Sequence, residues 1–157
     1  EASPDERAAY LKMRRAQEGA LDDGAEADED EDAVEAGQLS LERFAEMSAA
    51  EDLILTITAS GLGKLSSSHD YPVRGRGGQG VKAMSTGSRG GTLIACFPVE
   101  RSDQVMLATS TGQSIRCPVD GISFRSRSAG GVKVFDTGAG EEVVSVARIA
   151  DQGDDEA

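Results

Sequence analysis

Shifted against itself by 51 residues, the chain superimposes Gly61 on Gly112, Arg74 on Arg125, Arg76 on Arg127, Gly80 on Gly131, Val81 on Val132 and Lys82 on Lys133 without a gap. A repeat of this length is one supersecondary unit used twice, and each copy must bury its apolar face against a neighbour. Each copy opens with a short apolar stretch, 53–58 or 105–109, that ends on Ala59-Ser60-Gly61 or Ser110-Thr111-Gly112. Such a stretch, closed by a glycine-containing turn, predicts the first strand of a hairpin. Further strands are predicted at 64–67, 80–84 and 92–99 in the first copy. Their counterparts are 114–118, 131–135 and 142–149, the last reached by a one-residue slip. Four short strands in roughly 50 residues predict an all-β, propeller-like array of four-stranded blades. One blade covers 51–103 and the next 104–150. Two blades cannot close a ring, so further blades are expected outside this sequence.

Composition supports a turn-rich β architecture: aromatics make up 4%, Trp is absent and Gly numbers 19, so small residues must fill the core and many backbone positions can take positive φ. Residues 1–50 read differently, as an acidic insertion or linker. Ser3-Pro4-Asp5-Glu6 has capping-box spacing with Pro at the first helical position, which predicts a helix to about residue 16. Its Tyr10, Leu11 and Met13 make no wide apolar stripe, so the helix is predicted to dock weakly or fray. Residues 18–37 contain the acidic run 26–32 and almost no large apolar side chain, a composition that favours disorder. Ser40 caps a second helical segment carrying Leu41, Phe44, Ala45 and Ala49. Residues 151–157 form an acidic tail.

The formal charge of −12 is unevenly spread. Residues 1–52 carry 17 acids against 5 bases, whereas 53–148 carry 7 acids against 11 bases, a net of +4. Partners respond to local potential, so the body reads as mildly basic between two acidic segments. Acidic chain tethered so close to the basic body is expected to compete with an anionic partner. Cys96, Cys117 and His69 do not supply four zinc ligands or a C-x-x-C pair, and the cysteines read as reduced, buried thiols. No run approaches the roughly 18 apolar residues of a membrane helix. With Glu1 in place of Met and no secretory signal, the chain reads as a fragment.

The matched loops, Arg74-Gly75-Arg76-Gly77-Gly78-Gln79-Gly80 and Arg125-Ser126-Arg127-Ser128-Ala129-Gly130-Gly131, each place two arginines one residue apart before a run of small residues. The guanidinium fork matches phosphate oxygens, and small neighbours let the backbone come close. Lys82 and Lys133 recur beside them, and Lys64, Arg89 and Arg116 are further candidate contacts. No aromatic platform accompanies these cations, as single-strand binding requires, and no helix of the body could enter a major groove. The predicted partner is duplex nucleic acid held through its backbone; a propeller-like protein-interaction module is the alternative. Gly75–Gly80 formally matches G-x-G-x-x-G, but Gly87 and Gly90-Gly91 interrupt the helix that a dinucleotide site needs. His69-Asp70 reads as a surface turn.

Arg76-Gly77-Gly78-Gln79-Gly80 resembles the latter part of the Q-R-R-G-G-K-G box of the DNA gyrase A family, and Leu55–Lys64 resembles that family's repeated blade opening. Gly75 stands where the box has an arginine, Gln79 where it has lysine and Arg74 where it has glutamine. The resemblance spans about residues 51–150 and implies the last two blades of a β-pinwheel, the C-terminal DNA-wrapping domain that supports ATP-dependent negative supercoiling of duplex DNA. Topoisomerase IV, whose box is degraded, is the related alternative. The resemblance further implies a bacterial, cytoplasmic and nucleoid-associated protein. Its partners would be the rest of gyrase A and gyrase B in an A2B2 heterotetramer. No catalytic residue, metal or cofactor is expected in this segment; ATP and Mg are expected elsewhere in the holoenzyme.

Overall fold

The computed structural model describes residues 1–18, 38–87 and 90–151. Seven strands run β1 (Leu53–Thr58), β2 (Leu62–Ser67), β3 (Leu93–Val99), β4 (Gln104–Thr109), β5 (Ser114–Pro118), β6 (Val132–Lys133) and β7 (Val143–Ile149). They form two antiparallel sheets, ordered β3-β1-β2-β6 and β5-β4-β7, in keeping with the all-β expectation. The hairpins β1–β2 and β4–β5 turn identically. The amide of Gly61 donates to Thr58 O at 3.0 Å and that of Gly112 to Thr109 O at 3.1 Å, with φ of +83° and +85°. The outer strands also match, because each ladder shifts register at the same place, between Ile57 and Thr58 and between Ala108 and Thr109.

The predicted third strand of each blade is where the structure departs from the sequence reading. Residues 80–84 form no strand, and the predicted strand 131–135 shrinks to β6. Moreover, β6 does not join its own repeat. It pairs with β2 of the first repeat, Gly63 opposite Val132 and Leu62 opposite Lys133. Glycine permits this close approach, since a Cβ on Gly131 would stand 2.7 Å from Gly63 N. An extended segment needs a neighbouring edge to become a strand. The second repeat finds that edge on β2.

The core lies between the sheets and draws on both: Leu55, Ile57, Leu65 and Val99 meet Val105, Leu107, Val119 and Val143, with Ile122 and Phe135 closing it. Alternation in β4 is clean, with Val105, Leu107 and Thr109 buried. β1 and β2 are buried on both faces, so Thr56, Thr58, Lys64 and Ser66 are enclosed as well. Neither cysteine fits the buried-thiol expectation: Cys96 is exposed and Cys117 half-buried, and both are free.

Among the described residues two helices, α1 (Pro4–Glu18) and α2 (Leu41–Ala49), pack on the Ser68–Asp70 turn that follows β2. The capping box forms as the sequence predicts, Ser3 N donating to Glu6 Oε2 at 2.8 Å and Glu6 N to Ser3 Oγ at 3.2 Å. α1 is packed through a single large side chain. Tyr10 is fully buried, stacked on Phe44 at 5.0 Å and edge-on to His69 at 4.9 Å. One large aromatic replaces the wide stripe that periodicity looks for. His69 is therefore more than a surface turn, and its Nε2 lies 2.8 Å from Met47 O of α2. Arg14 reaches the second repeat, lying over the Phe124 ring at 4.7 Å. The acidic runs at 19–37 and 152–157 lie outside the described residues, as does the competition expected of them.

Candidate nucleic-acid interface

The two arginine loops occupy different environments. Arg74 through Gly80 is exposed at every residue, and Gly77 and Gly80 turn the backbone through φ of +78° and +75° with open space where a Cβ would be. Lys82, just beyond, is also exposed. Arg74, Arg76 and Lys82 are thus open to solvent.

The second loop is built into the first repeat. Its entry runs along β2, with Leu65 N donating to Ser123 O at 2.9 Å and Arg125 N to Leu65 O at 2.7 Å. Its exit becomes β6 and returns to the same edge. Between them, residues 126–130 arch over Lys64, a residue with no exposed surface. The Lys64 ammonium donates to Ser126 O at 2.7 Å, to Ala129 O at 2.8 Å and to Arg127 O. Burying an ammonium is costly unless such acceptors surround it. Lys64, predicted to touch a nucleic-acid phosphate, is instead an internal cation satisfied by carbonyls.

Arg127 departs from expectation in the same way. Its side chain is only 12% exposed; its Nε donates to Asp70 O at 2.8 Å and its Nη1 to Lys82 O. Its amide donates to Asp70 Oδ2 at 2.8 Å. Asp70 also faces Arg15 of α1 at 3.9 Å. Arg125 is half-buried. The remaining predicted contacts are surface groups: Lys133 lies 3.3 Å from Asp136, and Arg116 donates to Gln104 on the outer face of the second sheet. Arg89 lies outside the described residues. The segment that follows the first loop approaches the second, because Lys82 O accepts from Arg127 Nη1 and Ser85 N donates to Ala129 O at 3.4 Å. Equivalent arginines of the two repeats thus differ in exposure, Arg76 being exposed and Arg127 largely enclosed.

Other cations are held by neighbouring acids. Arg148 pairs with the buried Asp103 at 2.5 Å, whose carboxyl, despite burial, is drawn below its ordinary range by Arg148 and by the Glu100 and Asp151 amides. Arg101 pairs with Glu18 at 2.7 Å. Asp70, read from the sequence as part of a surface turn, instead holds Arg127 of the second repeat. Its counterpart at the repeat offset is Gly121, so it leaves no trace in the repeat. Among the described residues no group of His, Cys, Asp and Glu could hold a metal ion, and no helix is long and apolar enough to cross a membrane.

The family profile described as "DNA gyrase C-terminal domain, beta-propeller" matches residues 52–100 and 103–150, one match on each repeat. The chain belongs to the DNA gyrase A family. It is 42% identical over 170 residues to the DNA gyrase A protein of Granulibacter bethesdensis, covering 99% of this chain and 18% of that protein. It is 35% identical over 154 residues to the DNA gyrase A protein of Rickettsia bellii, covering 98% of this chain and 17% of that protein. The chain therefore spans less than a fifth of the length of these relatives. In fold it is similar to a DNA gyrase A C-terminal domain, with a TM-score of 0.60 at 19% identity, covering 64% of this chain and 34% of that one. The C-terminal domain of DNA topoisomerase IV is a similar neighbour, with a TM-score of 0.56 at 21% identity, covering 62% and 30%. Within the gyrase C-terminal domain architecture, the exposed 74–80 loop and the clamped 125–131 loop are successive copies of one blade feature.

Proposed function

We propose that this segment binds duplex DNA through the phosphate backbone and bends it along successive blades, supporting negative supercoiling by a gyrase holoenzyme. The observation that carries this reading is the 74–80 loop: two arginines on a fully exposed, glycine-rich turn, followed by exposed Lys82. Guanidinium groups on an open turn suit phosphate oxygens and carry no base readout of their own. In the whole protein the segment would act with the remainder of gyrase A and with gyrase B as an A2B2 assembly in the bacterial cytoplasm, on the nucleoid. The cleaving and ATP- and Mg-dependent chemistry would lie outside this segment.

Binding of unrelated duplexes of equal length at about 50 and 200 mM salt tests the reading. Phosphate contacts predict equal affinity across sequences and a steep loss with salt, with a slope near −0.9 per contact. Affinity confined to one sequence, or none at the lower salt, would overturn it.

A further inference from the structure

The second arginine loop is gripped from the first repeat at both ends of its backbone dipoles. Lys64 supplies a buried cation to three of its carbonyls, those of Ser126, Arg127 and Ala129. Asp70 supplies a carboxylate oxygen to the Arg127 amide and a carbonyl to the Arg127 guanidinium, and Lys82 O takes the other end of that guanidinium. Such a grip is directional. At the 51-residue offset the second repeat has Ile115 in place of Lys64 and Gly121 in place of Asp70, so it holds neither the cation nor the carboxylate with which to receive another loop. The structure repeats this asymmetry at the turns. A Cβ on Gly61 would stand 2.3 Å from Phe135 O of the incoming segment, whereas one on Gly112 would meet nothing within 4 Å.

We propose that Lys64 and Asp70 are positioning residues that seat the arginine loop of the following repeat, with Arg127 as its latch, and that they act on DNA only through the shape of that loop. The DNA half of this statement rests on the function proposed above; the seating half does not. A lysine that touched phosphate and one that only seats a loop leave different signatures. Removing the first lowers the salt slope of duplex binding by about one unit, without disturbing the loop.

The test uses the 157-residue chain with Lys64→Met, Asp70→Ala and Arg127→Ala, following amide exchange at Arg127 and Ala129 and duplex affinity against salt. Seating predicts exchange at both amides at least about tenfold faster in each variant, as expected when a local opening loses a supporting contact. It also predicts duplex affinity lowered severalfold, with a salt slope changed by less than about half a unit for Lys64→Met and Asp70→Ala. Exchange unchanged in Asp70→Ala and Lys64→Met would overturn the proposal, as would a slope lowered by a full unit with the loop amides still protected. If Lys64→Met loses its sheet signal, Asp70→Ala decides, because that carboxylate is partly exposed whereas Lys64 is fully enclosed. If the unaltered chain binds no duplex, the function proposed above falls and the exchange results still decide the seating.

Discussion

The loops 74–80 and 125–131 are close copies in sequence and opposites in environment. The first is exposed throughout, and the second is arched over a buried lysine with Arg127 almost enclosed. The glycines of the first loop leave it nothing to bury, and the second loop has β2, Lys64 and Asp70 of the first repeat to receive it. A repeat array couples nearest neighbours, so the role of a residue in one unit is set by the unit beside it. The same arginine position is a surface cation in one copy and an inter-repeat latch in the other.

The largest expected effect contrasts the two hairpin glycines. Gly112→Ala meets only the positive-φ penalty, about 1–2 kcal/mol. Gly61→Ala has the same penalty and also drives a Cβ into Phe135 O, so denaturant unfolding should show a loss above about 4 kcal/mol or a failure to fold. Equal losses at the two sites would break the comparison.

Next comes the latch. Arg127→Ala leaves Asp70 O and Lys82 O without their donor, and a stability loss of about 2 kcal/mol is expected from thermal melts. Arg76→Ala, at a fully exposed position, should stay within about 0.5 kcal/mol. In duplex binding the order reverses: Arg74→Ala with Arg76→Ala should lower the salt slope by about two units, and Arg127→Ala by less than about one. Similar slopes for the two sites would mean that the second loop opens to meet DNA.

The smallest effect concerns the helical cap, whose Arg15 faces Asp70. Glu6 joins α1 to α2 through Arg43 at 2.7 Å, and this hydrogen bond, with that from Ser3 N, lowers its carboxyl from 4.5 to about 2. A depressed carboxyl stabilises the fold above its ordinary value, and that contribution is lost as pH falls from about 4.5 towards 2. The pair is about a third exposed and screened by salt, so a small acid-induced loss of helix signal is expected, absent in Glu6→Gln. If the cap helps to hold Asp70, exchange at the Arg127 amide should quicken over the same pH interval in the parent chain alone.

Much of the fold is legible in the chain. The repeat offset, the hairpin turns at Gly61 and Gly112, the capping box at Ser3 and the charge imbalance all depend on residues close in sequence or on a strict period, and periodic or local constraints are written in the order of residues. The open cations of the first loop are legible too, because its glycines leave it nothing to bury. What the sequence does not disclose are properties of pairs far apart in the chain. Lys64 is polar, sits in a strand and looks like a surface cation, and only the arch of residues 126–130 over it makes it internal. Tyr10 looks too isolated to anchor a helix until Phe44 and His69 close on it. The strand expected at 131–135 crosses to the neighbouring repeat because a hydrogen-bonding edge is available there. Composition, period and turns determine that this chain forms two repeated β units with basic loops. Tertiary structure decides which loop is held and which is open, because burial and hydrogen-bond satisfaction belong to the neighbour that a residue meets.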